Sequence, residues 1–145
     1  MKHILPLTYE PKIPDVRSGK CTQTIRPISY TKPKKKGDLV MFHGWSGKPY
    51  RSKWGWRTPY WKIIEAYDIY FSDTTDRISI RKSIDDYKFF NLSGDELEVI
   101  AIKDGFKNFE KMTNQFRKMY GEKFLNKIFT LIQWNYSKGV EDGNK

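Results

Sequence analysis

The sequence predicts one α+β domain, in which a small mixed β-sheet is followed by two helices late in the chain. The length of 145 residues is typical of a single domain. Segments with strand-like alternation fill most of the first 90 residues, whereas helix-start patterns appear only from Ser93 onwards. Because strands and helices do not alternate, the pattern favours α+β over a doubly wound sheet, and a small mixed barrel with helices at one end is the natural packing. We expect the domain to span residues 1–136 and residues 137–145 to form a flexible tail.

The N-terminal part of the chain is expected to hold two short extended segments with a loop between them. The apolar side chains from Ile4 to Leu7 predict the first strand. Pro11 and Pro14 allow at most one helical turn, so residues 9–19 should be mostly loop. Residues 22–28 are then predicted to be extended.

Further strands are predicted along the middle of the chain. Residues 39–43 form a short apolar strand, and residues 44–59 follow as a loop or irregular hairpin. Residues 61–71 are apolar at nearly every position, as expected for a strand that crosses the core and is covered on both faces. Residues 77–81 alternate like a half-exposed strand, and residues 87–90 either continue the sheet or pack as a loop.

Two helices and a closing strand are predicted for the last third of the chain. Ser93 followed by Glu96 is a capping box, so a helix should run to about Asp104 and stop at Gly105. Asn108 can cap a second helix, whose apolar residues recur at helical spacing until Gly121. Residues 128–134 then predict the final strand.

The balance of charges favours a polyanionic partner. There are 27 Lys and Arg residues against 17 Asp and Glu, a formal net charge of +10, and this surrounds a small domain with a strong positive potential. The alternative is a basic protein that is merely soluble, because net charge alone does not define a site.

The single cysteine and the short apolar runs exclude several classes of protein. The one cysteine, Cys21, cannot form an internal disulfide, and one Cys with two distant His residues cannot build a standard zinc site. No apolar run approaches the ~18 residues that span a bilayer. We therefore expect a cytoplasmic protein that has no cofactor, no membrane partner and a monomeric state.

Aromatic and cationic side chains interleave most densely in residues 44–57. Such a segment can neutralise phosphates with its cations and stack unpaired bases on its rings. The alternative is that several of the Trp rings close one end of the core while the cations keep the surface soluble. His43, which ends the preceding strand, is interpreted as structural. The candidate nucleic-acid-binding residues of this segment are Trp45, Lys48, Arg51, Lys53, Trp54, Trp56 and Arg57.

A second candidate site lies on the extended segment near Cys21. The two-residue period of a strand places Thr22, Thr24 and Arg26 on one face. These polar groups can line a pocket for a nucleobase or phosphate, and Lys20 precedes them. The alternative is structural, because Thr favours strands and Arg26 can pair with an acidic residue across the fold.

Several segments resemble the ASCH domain family of the PUA-like superfamily. Gly19 to Arg26 resembles its signature, in which Gly and a short basic pair precede Thr-x-Thr-x-Arg. Lys36 to Leu39 resembles the Gly-Asp turn before the next barrel strand, and Ala101 to Phe106 resembles the helix end in which an acidic residue precedes Gly-Phe. Phe116, Tyr120 and the strand ending at Trp134 follow in the expected order, so the resemblance covers roughly residues 4–135.

The resemblance implies a PUA-like β-barrel that binds RNA or single-stranded nucleic acid in a cleft beside the Thr-Thr-Arg strand. Some bacterial members hydrolyse the amide of N(4)-acetylcytidine with a Lys, a Thr and a carboxylate. Carried over by position, these are Cys21, Thr24 and Asp104, so a Cys stands where the family has Lys. Lys20 is then the candidate catalytic lysine, unless the Cys21 thiol itself is the nucleophile.

Three functions follow from these observations as hypotheses. The first is a binding module for RNA or single-stranded nucleic acid that recognises a modified or unpaired base. The second is an N(4)-acetylcytidine-type amidohydrolase that uses Thr24 and Asp104, or a nuclease of the same family. The third is a basic domain that binds an acidic protein.

Overall fold

The computed structural model describes residues 1–74, 77–83, 89–125 and 127–138, and these residues form an α+β fold. The strands are Lys2–Pro6 (β1), Gln23–Pro27 (β2), Leu39–Trp45 (β3), Trp54–Arg57 (β4), Trp61–Thr74 (β5), Arg77–Ser83 (β6), Phe89–Asn91 (β7) and Ile128–Trp134 (β8). The helices are Ile13–Ser18 (α1), Gly94–Lys103 (α2) and Phe109–Tyr120 (α3). The predicted α+β class with two late helices is confirmed.

The long strand β5 organises the sheet. It pairs antiparallel with β3 near its start, with β8 along its middle and with β6 towards its end. Beyond these neighbours, β1 runs parallel to β3, β4 pairs with β3, β7 pairs with β6, and β8 pairs with β2.

The sheet is open on the side where a barrel would close. Within the described residues, β2 pairs with β8 and no pairing joins β2 to β1. The chain that continues from β1, Pro6 to Tyr9, and residues Thr24 to Arg26 of β2 lie on opposite sides of a cavity that is also lined by Lys12.

The prediction that residues 9–19 are mostly loop is wrong. Glu10–Lys12 form a 3-10 turn, and α1 follows directly. Each of the two prolines lies in the first turn of its helical segment, where no intrahelical hydrogen bond needs a backbone N–H. Gly19 ends α1 with φ of 85°, a conformation that glycine adopts without steric penalty.

Both predicted late helices begin with the capping residues identified in the sequence. The Ser93 side chain accepts from the Glu96 amide, and the Glu96 carboxylate accepts from the Ser93 amide, which completes the capping box of α2. The Asn108 side chain accepts from the Lys111 amide at the start of α3. These bonds satisfy amide groups that have no partner within the first turn of a helix.

Two hydrophobic clusters pack against the strands. One lies between the sheet and helices α2 and α3, and it is centred on Phe71, Phe116 and Phe129. The other contains Phe42, Trp61 and Trp134 on the side of α1 and β3. Since β8 contributes Leu131 to the first cluster and Ile132 to the second, the alternation of one strand joins them.

Some sequence predictions fall partly outside the described residues. Tyr87 and Lys88 lie outside them, while Phe89 and Phe90 belong to β7, which continues the sheet. Residues 139–145 of the predicted tail also lie outside, and the Ser137 carbonyl accepts a hydrogen bond from Trp61 Nε1 at 2.8 Å. Among the described residues, no helix is both long and apolar enough to cross a membrane.

Candidate functional site

A buried polar cluster connects the 3-10 turn, β2 and the end of α2. The Nζ atom of Lys12 lies 3.4 Å from Thr24 Oγ1 and 3.2 Å from Asp104 Oδ2. Lys12, Thr24 and Asp104 are 5%, 3% and 1% exposed. An ammonium group, a hydroxyl and a carboxylate that are far apart in sequence therefore meet in the interior.

Local chain geometry places each of these side chains. Asp104 follows the last residue of α2, and its carboxylate turns into the gap left beside the sheet. Gly105 has φ of 92°, and a Cβ atom there would lie 3.6 Å from both Lys12 Cγ and Cys21 Sγ. Thr24 lies opposite Ile132 in the pairing of β2 with β8. Because Gly105 has no side chain, the end of α2 packs directly against the methylene groups of Lys12.

Gln23 completes the hydrogen bonding of the cluster. Its Nε2 atom donates to Asp104 Oδ1 at 3.2 Å and to the Ile100 carbonyl at 3.0 Å. Its Oε1 atom accepts from Gln133 Nε2 at 3.0 Å. Both oxygens of Asp104 thus have a donor, as a buried carboxylate requires.

The electrostatics of the cluster are governed by its burial. Burial raises the pKa of Asp104 above its ordinary value, and the nearby Lys12 and the hydrogen bond from Gln23 offset only part of this effect. A raised carboxylic acid pKa favours the neutral acid, whereas the adjacent Lys12 favours the carboxylate. The cluster therefore places a lysine amine in contact with a hydroxyl group.

A small cavity opens beside Thr24. Its volume is about 50 Å³, and Arg26 Nε donates to Thr24 Oγ1 at 3.3 Å on its wall. We call it the Thr24 cavity. It is lined by Pro6, Leu7, Thr8, Tyr9, Lys12, Thr24, Ile25, Arg26, Asp104, Phe106, Phe116, Met119 and Tyr120.

Neither Lys20 nor Thr22 lies at the cavity. Lys20 is exposed, Thr22 is half-buried, and neither side chain is among those that line it. The amine that reaches Thr24 belongs to Lys12. Of the residues that the sequence analysis placed at this site, the structure brings Thr24, Arg26 and Asp104 together.

Cys21 packs beneath the polar cluster as an unreactive thiol. Its Sγ atom donates to the carbonyls of Gln23 at 3.4 Å and Lys103 at 3.3 Å. Burial raises its pKa, and Lys12 opposes part of this rise. A thiol with a raised pKa is a poor nucleophile at neutral pH, so the geometry gives Cys21 a packing role.

A larger cavity lies on the other side of Gln23. It has a volume of about 370 Å³, between the sheet and α2, which is the scale of small-ligand pockets. Its walls include Tyr67, Val99, Leu131 and Gln133. Gln23 lines this cavity and donates to Asp104, which lines the Thr24 cavity.

Residues 43–57 form an exposed aromatic surface, which we call the aromatic hairpin. The His43 and Trp54 rings stack with centroids 4.0 Å apart, and Trp45 meets His43 edge-on at 4.9 Å. Tyr50 packs on Trp45 at 5.0 Å. Tyr50 and Trp54 are 73% and 43% exposed, so two rings of this group face solvent.

The other candidate residues of the hairpin divide between surface and packing positions. Trp45 and Trp56 are half-buried, and the Arg17 guanidinium lies 5.0 Å over the Trp56 ring. The cations of the hairpin are all exposed: Lys48, Arg51, Lys53 and Arg57. Of the three Trp rings of the hairpin, Trp54 is the exposed one.

Arg26 connects the aromatic hairpin to the Thr24 cavity. Its guanidinium lies 5.9 Å over the Phe42 ring of β3. Burial lowers the pKa of Arg26, while Tyr120, Asp104 and Tyr50 are close enough to act against this shift. Arg26 therefore lies at the wall of the Thr24 cavity and packs against β3, the strand from which the aromatic hairpin continues.

Comparison with known proteins shows a fold relationship. Among solved structures, the crystal structure of the hypothetical protein PH0355 is similar to this chain, with a TM-score of 0.55 and 18% sequence identity. The match covers 93% of this chain and 98% of that one. No family model and no curated protein sequence matches. The likeness establishes a shared fold over nearly the whole chain.

Sequence reasoning missed several residues of the site. Lys12 stood in a segment expected to be loop, Gln23 was placed on the opposite strand face, and Tyr50 was one aromatic residue among many. Two signals were available, since Lys12 lies between the two prolines that start helical turns, and Gln23 lies next to Thr24. Neither signal specifies a contact with Asp104, which is 92 residues from Lys12.

Proposed function

We propose that this chain is an ASCH-type, PUA-like domain that binds RNA or another single-stranded nucleic acid. The strand lies along the aromatic hairpin, and an unpaired base is directed to the Thr24 cavity. The observation that carries the proposal is that one hairpin presents two exposed rings, Tyr50 and Trp54, together with its exposed cations Lys48, Arg51, Lys53 and Arg57. Stacking on Tyr50 and Trp54 would contribute about 1–3 kcal/mol per base.

The cavity volume sets a condition on this binding mode. A water molecule in the liquid occupies about 30 Å³, so a cavity of about 50 Å³ holds no complete base. A base enters only when lining side chains move aside. Met119 lines the cavity, is 47% exposed, and has the flexible side chain that such a movement needs.

Fluorescence anisotropy with a labelled single-stranded RNA tests the proposal. We expect binding at low salt that weakens as salt increases, because phosphate contacts release counterions. Changing Lys48, Arg51 and Arg57 together to Gln should reduce the salt slope by about 0.7 for each phosphate contact that is lost. Trp54→Ala should weaken binding through the loss of stacking.

The matched control removes the same charge elsewhere. Lys107, Lys123 and Lys127 are exposed and lie outside the hairpin, so changing these three to Gln should leave most of the affinity. Equal losses for the two triple variants would mean that net charge alone attracts the RNA. If Trp54→Ala is silent while the charges matter, an acidic protein becomes the better partner.

The contact between Lys12 and Thr24 favours a second candidate function, hydrolysis of an amide such as that of N(4)-acetylcytidine. In this proposal Thr24 is the nucleophile, Lys12 is the base, and Asp104 holds Lys12 in place and shares its proton. In the family resemblance, Cys21 stands at the position of the catalytic Lys. In this proposal Lys12 supplies the catalytic amine instead. Arg26, which donates to Thr24 Oγ1, is positioned to stabilise negative charge on reacting oxygens.

The reaction would proceed through an acyl-enzyme. The Thr24 hydroxyl proton passes to neutral Lys12 as Oγ1 attacks the amide carbon, and the tetrahedral intermediate forms. The intermediate collapses, the C–N bond breaks, and Lys12 returns the proton to the leaving amine. Lys12 then takes a proton from water as the water oxygen adds to the ester carbon; the ester C–O bond breaks, Lys12 returns the proton to Thr24 Oγ1, and acetic acid leaves and ionises to acetate.

Deacetylation of N(4)-acetylcytidine, followed by chromatography, tests the second candidate. Lys12→Met should lower the rate by about 100-fold or more, as expected for loss of a general base. Lys20→Met is the matched control and should retain activity, because Lys20 is exposed and away from the cavity. Thr24→Ala should abolish turnover. Activity that persists in Thr24→Ala would rule out this mechanism.

A further inference from the structure

Two buried ring nitrogens in the aromatic hairpin have no hydrogen-bond partner among the described residues. They are Nδ1 of His43 and Nε1 of Trp45. His43 is 4% exposed, and its ring contacts Trp45 edge-on at 4.9 Å. Because nearly all buried polar groups in proteins are hydrogen-bonded, two unpaired nitrogens in adjacent rings indicate a position for a polar ligand.

Arg26 acts electrostatically on both His43 and Lys34. Arg26 is close enough to His43 to lower the pKa of the imidazole, in addition to the larger effect of burial. Lys34 is half-buried, and burial together with Arg26 and Lys32 lowers its pKa. In the part of the chain that the structure describes, Lys34 has no carboxylate partner. An anion between Arg26 and Lys34 would remove the repulsion between the two charges.

The rings that cover the two nitrogens lie on the solvent side. Trp54 stacks on His43, and Tyr50 packs on Trp45. Tyr50 has φ of 64°, which is a strained backbone conformation for a bulky residue. A change of the Tyr50 backbone out of this conformation would relieve the strain, and outward movement of the two rings would uncover His43 and Trp45.

We propose that a phosphate group of a bound nucleic acid occupies this position, held by His43 Nδ1 and Trp45 Nε1 once Tyr50 and Trp54 have moved aside, with Arg26 adding positive charge nearby. His43 acts as a donor when Nδ1 carries its proton. Two N–H donors in adjacent rings suit the multiple oxygens of a phosphate group. The released rings are then free to stack on neighbouring bases. This inference rests on the proposed nucleic-acid binding and specifies which part of the ligand the hairpin recognises.

Titration with inorganic phosphate, followed by the indole N–H signals of the ¹⁵N-labelled protein, tests the site directly. The Trp45 signal, assigned with Trp45→Phe, should shift saturably as its N–H gains an acceptor. Two internal controls exist. Trp134 Nε1 is also unpaired but lies in the hydrophobic core, and Trp61 Nε1 already donates to Ser137. Both signals should stay in place.

A second experiment distinguishes binding of free phosphate from binding of the phosphodiester of a nucleic-acid strand. The Trp45 signal is followed with a nucleoside, its 5′-monophosphate and a short single-stranded oligonucleotide. His43→Phe keeps a flat ring against Trp54 but removes both nitrogens, and it should weaken oligonucleotide binding about tenfold, the effect of one charge-assisted hydrogen bond. The nucleoside, which carries no phosphate, should leave the Trp45 signal unchanged.

The outcomes distinguish this inference from the proposed function. Oligonucleotide binding without a shift of the Trp45 signal would overturn the phosphate site and leave nucleic-acid binding standing. A phosphate shift without oligonucleotide binding would support the site and contradict nucleic-acid binding. A shift shared by Trp61 and Trp134 would overturn the site, because a general salt effect would then explain it. If His43→Phe fails to fold, the titration of the unmodified protein still decides.

Discussion

At the scale of single residues, the buried pair of Lys12 and Asp104 has the largest expected effect on stability. Removing two charges from water is unfavourable, and their mutual attraction compensates only when the remaining hydrogen-bonding groups are also satisfied. Here Gln23 and Thr24 supply those additional bonds. The pair is therefore tolerated in the interior, but each partner depends on the other.

A double-mutant cycle should reveal this dependence. Lys12→Met and Asp104→Leu are each expected to lower the free energy of unfolding by about 3–5 kcal/mol, because each leaves an unpaired buried charge. The double variant leaves neither charge and should lose much less than the sum. Urea denaturation at pH 7 measures all four proteins. Additive losses would show that the two side chains do not interact.

Asp38 should give part of the stability a defined pH dependence. Its carboxylate accepts from His3 Nε2 at 2.8 Å, from the Lys35 amide at 3.1 Å and from the N-terminus at 3.4 Å. Burial raises its pKa, but the bonds from His3, Lys35 and the N-terminus outweigh burial and hold the pKa below the ordinary value. Asp38 therefore binds its proton more weakly in the folded than in the unfolded chain.

The sign of the effect follows from this order of pKa values. The stabilisation by Asp38 is complete above the unfolded-state pKa of about 3.9 and is lost as the pH falls through the lower folded-state value. Asp38→Asn should thus be less stable than the unmodified protein at pH 7, and the difference should shrink below about pH 4. Urea denaturation between pH 3 and 7 measures this. A difference that stays constant over that range would contradict it.

At the scale of elements, the aromatic hairpin depends on a close approach between its strands. A Cβ atom at Gly44 would collide with the Trp56 indole, which packs across the β3–β4 pair. Gly44→Ala should therefore displace Trp56, disturb the pairing of β4 and weaken RNA binding, with little effect on the core. Anisotropy and near-ultraviolet circular dichroism measure these changes.

Gly47→Ala is the matched control within the same hairpin. A Cβ atom there would lie 3.5 Å from Ser52 Cβ, which is an ordinary contact. This variant should bind RNA nearly as the unmodified protein does. If both alanine variants lose the same affinity, backbone flexibility rather than the packing of Trp56 governs the hairpin.

At the scale of the whole molecule, the tryptophans report on one side of the fold. All five belong to the aromatic hairpin or to the hydrophobic cluster that contains Phe42. The cluster between the sheet and α3 contains none, and β8 joins the two. If the fold is one cooperative unit, damage to the cluster that contains Phe116 must change the fluorescence of the tryptophans in the cluster that contains Phe42.

Phe116→Ala tests this cooperativity. Phe116 is 3% exposed and contacts Phe71, Phe124 and Phe129. Its truncation should lower the free energy of unfolding by about 3–5 kcal/mol. The urea midpoints from tryptophan fluorescence and from far-ultraviolet circular dichroism should fall together. A fluorescence midpoint that does not move would show two independently unfolding units.

Local signals in the sequence determined the order of the strands, the starts and ends of α2 and α3, and the position of β8. Capping residues, strand alternation and proline act over a few positions, so they can be interpreted without knowledge of the fold. The helical turns around Pro11 and Pro14 were missed because the sequence alone does not distinguish a proline that starts a helix from one that interrupts it.

Tertiary structure alone decided which lysine reaches Thr24. By position in the sequence Lys20 was the nearer candidate, yet the 3-10 turn before α1 brings Lys12 to Thr24 and Asp104. It also decided that Arg26 lies at the wall of the Thr24 cavity, and that His43 and Trp45 lie side by side. Such contacts join residues that are distant in sequence, and their geometry depends on how the whole chain packs rather than on any local preference.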